Sequence, residues 1–213
     1  EPKDVLIQVG HIERYNPAVL TLGDVLANKE VLAYEVRRLG PGPGRNIQDS
    51  VVTDLMIHDL DIVRMLAGEN PRLFSGVGRA DGKHATATLK FSDGAVATLT
   101  ASRVTQQKIR KLGIATDEGY INVDYLDRSV EIYRGSSREM VSREDETRYR
   151  QETVIERPFV ENVEPLKREL QSFLAAVSGD QEPEVPAEDG LAAVRLALAI
   201  EEEVFPNNGD GTL

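Results

Sequence analysis

The chain has 213 residues, 40% of them hydrophobic and 29% charged, enough for one large domain or two small ones. Its formal net charge of −11 argues against nonspecific nucleic-acid binding, because that needs a basic surface to displace counterions from phosphates. The absence of cysteine excludes disulfides and thiolate metal sites, and no apolar run approaches the ~20 residues of a membrane span.

The charge and the residue usage also bear on the environment of the protein. No export signal is visible in the first residues, which favours a cytoplasmic location. Of the 25 basic residues 18 are arginine, and an acidic surface with few lysines suits a salt-adapted, halophilic source. An ordinary acidic protein from a high-GC genome explains the same composition equally well.

The first forty residues predict two short strands with a helix between them. The strands are expected at 4–10 and 31–39, where β-branched and aliphatic residues dominate. Pro17 suits the first turn of the helix, because its missing N–H would have no partner there, and Asn16 suits the cap before it.

A loop and a second helix are predicted next. The glycines and prolines of 40–46 are incompatible with regular structure, so we expect a loop. The following helix begins at Asp49 or Ser50 and ends before Gly68, since glycine favours the position just after a helix.

Between Pro71 and about Tyr133 the pattern changes to short alternating segments, which is typical of a meander of antiparallel strands. Hairpin turns are predicted at 92–94 and 117–119, where Asp and Gly occur together. The predicted strands are 85–91, 95–101, 111–116, 120–124 and 129–133.

The remaining residues predict a charged loop and two helices. Residues 136–152 are rich in Arg, Glu, Asp and Ser and are expected to form an exposed loop. The amphipathic helices span 164–178 and 188–205, and the tail 207–213 is expected to be frayed.

These elements predict an α+β fold in which a mostly antiparallel open sheet carries helices on one face. Residues 1–206 would form this single domain. The uncovered face of the sheet would need a partner, either another domain or a second copy of the chain, so we expect a homo-oligomer formed through the sheet.

Asp54, His58 and Asp61 are the most informative residues for function. On a helix, side chains three and four positions apart share a face, so Asp54 and His58 could meet, with Asp61 one turn further on. A carboxylate beside an imidazole can orient it and raise its basicity, as a general acid–base requires. A purely structural histidine, satisfied by Asp54, is an equal alternative on spacing alone.

Three segments resemble the Gfo/Idh/MocA oxidoreductases in order and spacing. They are Val9–Pro17, Arg37–Pro41 and Asp54–Asp61, and the similarity continues through the strands and the closing helix pair. It covers the C-terminal, substrate-binding half of such enzymes, which has a glyceraldehyde-3-phosphate dehydrogenase-like fold. The resemblance implies a dehydrogenase that oxidises a secondary hydroxyl group of a sugar-type substrate.

Roles for individual residues follow from the same resemblance. His58 would be the general acid–base, and Asp54 would orient it and stabilise the imidazolium. The residues that it places near the substrate are Arg14, Tyr15, Asn16, Arg45 and Asp61. For Arg14 a structural ion pair, with Glu13 or Asp49, is the competing interpretation, and Asp61 suits a helix surface equally well.

The run Arg37–Pro43 and the segment Lys108–Leu112 resemble the UDP-N-acetylhexosamine 3-dehydrogenase branch of the family most. Residues 102–107 depart from it, because an Asn-Trp-Leu-Thr-Pro-type run would be expected there and this chain has no tryptophan. A nucleotide sugar, another sugar and a cyclitol therefore all remain open as substrates.

The resemblance implies NAD or NADP as cofactor, bound mainly by an N-terminal Rossmann domain that is absent from this chain. The run 40–44 is the nearest to a dinucleotide fingerprint, but its spacing is wrong and its prolines lack the backbone donors that phosphate needs. Glu1-Pro2 lacks the lysine of the family's Glu-Lys-Pro motif. We therefore expect this chain to be the C-terminal portion of a longer enzyme.

Two other functions fit parts of the pattern. The doublet His58-Asp59 occurs in HD-type metal hydrolases, but such a site needs further ligands and only His11 and His84 remain as histidines. A noncatalytic module that dimerises through its sheet is the other alternative, since the chain without its cofactor could not transfer a hydride.

Overall fold

The computed structural model describes residues 5–42, 49–135, 139–143, 146–150 and 153–206. Arg45 and the tail 207–213, both named in the sequence predictions, lie outside these residues. So does most of the predicted loop 40–46.

The chain begins with an extended segment rather than the predicted strand. Residues 5–10 do not pair with any described strand. Instead the Val9 N–H donates to the Val185 carbonyl, and the Gln8 side chain donates to the carbonyl of Glu169 in a C-terminal helix. Local β propensity was therefore misleading here, since a strand also needs a neighbouring strand to bond with.

A compact helical corner follows. It consists of a 3-10 turn Ile12–Tyr15 and the short helices α1 Pro17–Leu20 and α2 Leu22–Val25. The Asn16 side chain accepts a hydrogen bond from the Ala18 N–H, as predicted for the cap. The predicted helix is thus present, although divided at Thr21.

Strand β1 runs over Val31–Pro41, two residues further than predicted, so Gly40 and Pro41 continue the strand. Pro41 pairs with Val104 after a register shift, at a point where the ladder is already irregular.

The helix that carries His58 is continuous from Val51 but changes geometry along its length. A π-helical segment Val52–Met56 leads directly into α3 Ile57–Ala67, and the Ser50 hydroxyl accepts the Val52 N–H at the start. Gly68 ends α3 in the left-handed conformation with φ 69°, as expected for a glycine cap.

The five strands predicted between 85 and 133 all belong to the main sheet, although β5 begins earlier than expected, and a further strand at 73–78 precedes them. The strands are β2 Leu73–Gly78, β3 His84–Lys90, β4 Val96–Ser102, β5 Val104–Thr116, β6 Gly119–Asp124 and β7 Ser129–Gly135.

The charged segment 136–152 is not simply a loop. Its described residues form a separate two-stranded hairpin of β8 Glu139–Arg143 and β9 Glu146–Arg150. β10 Thr153–Glu156 then returns to the main sheet beside β7.

The main sheet has the order β10-β7-β6-β5-β1-β4-β3-β2. All of its pairs are antiparallel except β1 with β4. The predicted simple meander was wrong at one point, because β1 lies between β4 and β5, which are neighbours only in sequence. Placing β1 at the centre brings its buried residues under α3.

Helices α4 Pro165–Ser178 and α5 Ala187–Val204 complete the chain close to their predicted positions. The core lies between the sheet and the helices α3 and α5, and includes Leu60, Ile62, Leu99, Ile114 and Ile200, all at most 1% exposed. The predicted α+β fold with helices on one face of an open sheet is confirmed.

Candidate active site

His58 lies in the first turn of α3, immediately after the π-helical segment, and is half-buried. Its Nδ1 atom is buried and has no hydrogen-bond partner among the described residues. Burial, reinforced by the positive charge of Arg38, lowers the pKa of His58 from its ordinary value of 6.5. The imidazole is therefore mainly neutral near pH 7, the form that accepts a proton.

A second histidine packs against it. The His11 ring lies edge-on to the His58 ring, with 6.1 Å between the centroids. His11 is buried, and its Nε2 lies 3.9 Å from Oδ1 of Asp61. Burial lowers the pKa of His11 and the nearby His58 lowers it further, while Asp61 opposes the change. Two adjacent imidazoles of this kind disfavour double protonation.

Asp59 anchors the helix to the central strand. Arg38 of β1 donates from Nε and Nη2 to the two carboxylate oxygens of Asp59, at 2.6 and 2.8 Å. Glu13 accepts a further bond from Arg38 at 3.1 Å, and the guanidinium lies 5.9 Å from the centre of the Tyr125 ring. These contacts raise the pKa of Arg38, so it remains charged despite its burial.

Asp61 anchors the same helix to the 3-10 turn. Arg14 donates from Nε and Nη2 to the fully buried carboxylate of Asp61, at 2.7 and 2.6 Å. Its Nη1 donates to Asp189 of α5 at 2.7 Å. Arg14 is thus a structural ion pair, but with Asp61 and Asp189 rather than the predicted Glu13 or Asp49. The alternative that Asp61 lies on the helix surface is wrong, because its carboxylate is fully buried.

Asp54 is not bonded to His58. Its carboxylate pairs with Nη2 of Arg103, whose Nη1 donates to the Asp49 carbonyl at 2.7 Å. The sequence prediction placed Asp54 on the histidine because the two residues are one turn apart. The cation that reaches Asp54 comes instead from the junction of β4 and β5, 49 residues further along the chain.

Tyr15 and Asn16 also have internal roles. Tyr15 is buried against α4, and burial raises the pKa of its hydroxyl. Asn16 caps α1 and donates from Nδ2 to the Tyr125 carbonyl at 3.1 Å. The predicted substrate residues Arg14, Asn16 and Asp61 therefore already have their polar groups engaged within the chain, which leaves little capacity for a ligand.

Sequence reasoning missed Arg38, Asp59 and Arg103 as parts of the site. A signal existed for Arg38, because it is in phase with the apolar Tyr34 and Val36 on β1 and so had to point inward. No comparable signal marked Arg103, whose position depends on the order of the strands.

Within the described ranges no group of three or more histidine, aspartate or glutamate residues could hold a metal ion. The carboxylate of Asp59, which an HD-type metal site would use, is paired with Arg38.

Among the described residues, no helix is long and apolar enough to cross a membrane.

Comparison with known proteins decides the family. Residues 29–207 match the Gfo/Idh/MocA oxidoreductase family, C-terminal alpha/beta domain. The chain belongs to this family.

Its relatives include enzymes that act on sugars. The chain is 35% identical over 138 residues to UDP-N-acetylglucosamine 3-dehydrogenase from Acidithiobacillus ferrooxidans, a match that covers 62% of this chain and 44% of that enzyme. A solved structure of that organism's enzyme, GnnA, superposes with a TM-score of 0.79 at 28% identity, over 97% of this chain and 64% of the other.

A more distant structure shows the fold alone. Levoglucosan dehydrogenase, solved with NADH and levoglucosan, superposes with a TM-score of 0.70 at 18% identity, over 94% of this chain and 65% of the other. The chain thus spans less than half of its curated relative and about two thirds of these solved structures.

Proposed function

We propose that this chain is the substrate-binding and catalytic half of a nicotinamide-dependent dehydrogenase that oxidises a secondary hydroxyl group of a sugar, a nucleotide sugar or a cyclitol. His58 acts as the general acid–base, and Asp54 belongs to the same site. The supporting observation is a half-buried, neutral imidazole at the start of α3, whose Nδ1 has no hydrogen-bond partner in the part of the chain that the structure describes. The two anchored aspartates that follow it fix the position of that helix.

The substrate proposal rests on the relatives. UDP-N-acetylglucosamine 3-dehydrogenase matches this chain in sequence and in structure, which favours a nucleotide sugar. Arg103, one of the deviating residues 102–107, pairs with Asp54, so we expect the substrate contacts near Asp54 to differ from those of that branch. Turnover with UDP-N-acetylglucosamine, levoglucosan and a cyclitol would rank the three substrate classes.

The described residues do not fit a nicotinamide dinucleotide. A dinucleotide site needs a parallel strand–turn–helix unit with a glycine-rich turn, and the one parallel pair of the described sheet, β1 with β4, has no such turn between strand and helix. We therefore assign NAD or NADP to a Rossmann domain outside this chain.

An apolar surface on the C-terminal helices is suited to contact that domain. The extended segment 5–10 lies between α4 and α5, bonded to Glu169 on one side and to Val185 on the other. Apolar side chains on all three elements are 39–67% exposed, namely Val5, Leu6, Ile7, Leu166, Leu170, Phe173, Leu174, Val177, Leu191, Val194 and Leu198. Exposed apolar patches of this kind mark interaction sites. The relatives carry additional chain that could cover it.

The contact can be tested in the complete enzyme. Leu174→Asp places a charge in this surface, and we expect it to weaken cofactor-dependent turnover. Val77→Asp, at a comparably exposed valine of the edge strand β2, is the matched control and leaves turnover unchanged. Equal effects of the two substitutions would argue against the surface.

The open face of the sheet supports a homo-oligomer. Glu35 and Arg37 of the central strand β1 and Lys111 of β5 are exposed there, so two copies could pair opposite charges across a twofold axis. We expect a dimer by analytical ultracentrifugation that Arg37→Glu dissociates. A noncatalytic dimerisation module predicts the same dimer, so the choice between the two functions depends on His58.

The decisive experiment is a His58→Ala variant of the complete enzyme. Loss of a general acid–base lowers turnover by about 10²–10⁴-fold, while NAD(P) affinity, measured by fluorescence titration, stays unchanged. His84→Ala, a half-buried histidine on β3 with no proposed role, is the control. A loss of less than tenfold in turnover for His58→Ala would reject the catalytic role.

A further inference from the structure

Arg103 is the single residue between β4 and β5, and its side chain is 8% exposed. Three contacts fix it. Its backbone N–H donates to the Lys83 carbonyl at 2.9 Å, Nη1 donates to the Asp49 carbonyl at 2.7 Å, and Nη2 pairs with Asp54. Arg103 therefore connects the sheet to Asp49, just before the helix that carries His58, and to Asp54 in the π-helical segment of that helix.

Asp54 is the partially exposed member of this pair, with its side chain 38% exposed. It lies on the π-helical segment, a geometry that often occurs at functional sites. A carboxylate oxygen that accepts a charge-assisted hydrogen bond from arginine has less negative potential to offer a neighbouring imidazole. The hydrogen-bonded partner of Asp54 is thus Arg103, although Asp54 lies only four positions before His58.

We propose that Arg103 is a positioning residue that holds Asp54 away from His58 and thereby sets the pH at which His58 takes up a proton. The proposal deepens the assigned role of His58 and rests on it for its catalytic meaning.

Other charges around His58 also affect its pKa, and apart from Asp54 they are the same in every variant of the test below. Arg38 of β1 disfavours the protonated imidazole, whereas Asp59, Glu13 and Asp54 favour it. The His11 ring packs against it from the extended segment. Removing Arg103 deletes a positive charge and frees the negative charge of Asp54, and both changes favour protonation of His58.

The test is an NMR pH titration of the 213-residue chain labelled at histidine, in which His11, His58 and His84 give the only imidazole signals. We expect the pKa of His58 to rise by about 1 unit in Arg103→Gln, as for an opposite charge brought close. Arg103→Lys restores the wild-type value. Arg157→Met, which removes an exposed arginine paired with Glu131 on the far strand β7, is the control and leaves it unchanged.

A double substitution separates action through Asp54 from a direct effect of the arginine charge. Asp54→Asn alone lowers the pKa of His58. If Arg103 acts mainly through Asp54, Arg103→Gln added to it raises that pKa by less than half as much as in the wild-type background, the remainder being the direct effect of the lost positive charge. An equal rise in both backgrounds, or no rise in either, would overturn the proposal. If the Arg103→Gln variant does not fold, the His58 pKa is measured instead in Arg103→Met, in the wild-type and Asp54→Asn backgrounds, and the two changes are compared in the same way.

The titration needs no turnover, so it is independent of the proposed function. In the complete enzyme, the pH profile of kcat/KM should move in the same direction as the His58 signal. A shifted NMR titration with an unchanged pH profile would support Arg103 as a positioning residue and reject His58 as the acid–base.

Discussion

The buried pair between Arg38 and Asp59 allows a quantitative test of how the site is held together. Asp59→Ala removes a carboxylate that is 2% exposed and leaves the Arg38 guanidinium buried. Breaking a buried pair by removing one partner costs about 3–5 kcal/mol, because the remaining charge loses its compensation. Glu13 still accepts from Arg38 at 3.1 Å, so the lower end of that range, about 3 kcal/mol, is expected.

Urea unfolding, followed by circular dichroism, measures this loss. With a slope of about 3 kcal/mol per molar urea for a domain of this size, the midpoint should fall by about 1 M. Asp81→Ala is the control, because the Arg79–Asp81 pair has the same chemistry on the surface; even with the loss of the Lys83 N–H bond, its midpoint should fall by less than about 0.3 M.

The double variant Arg38→Met/Asp59→Leu isolates the cause. Replacing both charges by apolar side chains of similar size is often neutral or stabilising, so we expect most of the lost stability to return. If the double variant were as unstable as Asp59→Ala, packing rather than the uncompensated charge would be responsible. A midpoint shift below about 0.3 M for Asp59→Ala would equally refute the reasoning, because it corresponds to less than about 1 kcal/mol.

Two further predictions concern packing and pH. A Cβ at Gly76 of β2 would lie 2.5 Å from Cγ2 of Val204 in α5, so Gly76→Ala should cost about 1–3 kcal/mol. Gly23→Ala, at a helical position with nothing within 4 Å, should stabilise by about 0.5–1 kcal/mol, and the two melting temperatures compared with wild type check both signs. Burial lowers the pKa values of His11 and His58 below 6.5, so the unfolded chain binds more protons and the free energy of unfolding should fall as pH drops below about 6.5. His11→Gln should flatten this decline in urea midpoints measured from pH 8 to 5.5, and an unchanged slope would contradict the assignment.

Local patterns in the sequence were enough to locate most elements. The Asn16 cap with Pro17, the stop at Gly68 and the hairpin turn at 92–94 each depend on contacts within a few residues, so the chain itself specifies them. The prediction failed at 4–10, where β propensity had no partner strand, and at 136–152, where charge concealed a hairpin. Both failures concern pairing, which local propensity does not determine.

Periodicity, capping and motif spacing act over short distances, so the sequence alone was enough to predict the class of fold and the family and to propose His58 as the proton-transferring histidine. The pairing of the charged side chains could be read only from the folded chain. Arg14 pairs with Asp61, 47 residues further along the chain, and Asp54 pairs with Arg103, 49 residues further along. Which ion pairs form depends on the strand order, in which β1 lies between β4 and β5, and on which side chains the fold buries. Burial lowers the local dielectric constant and so strengthens the few ion pairs that lie in the interior.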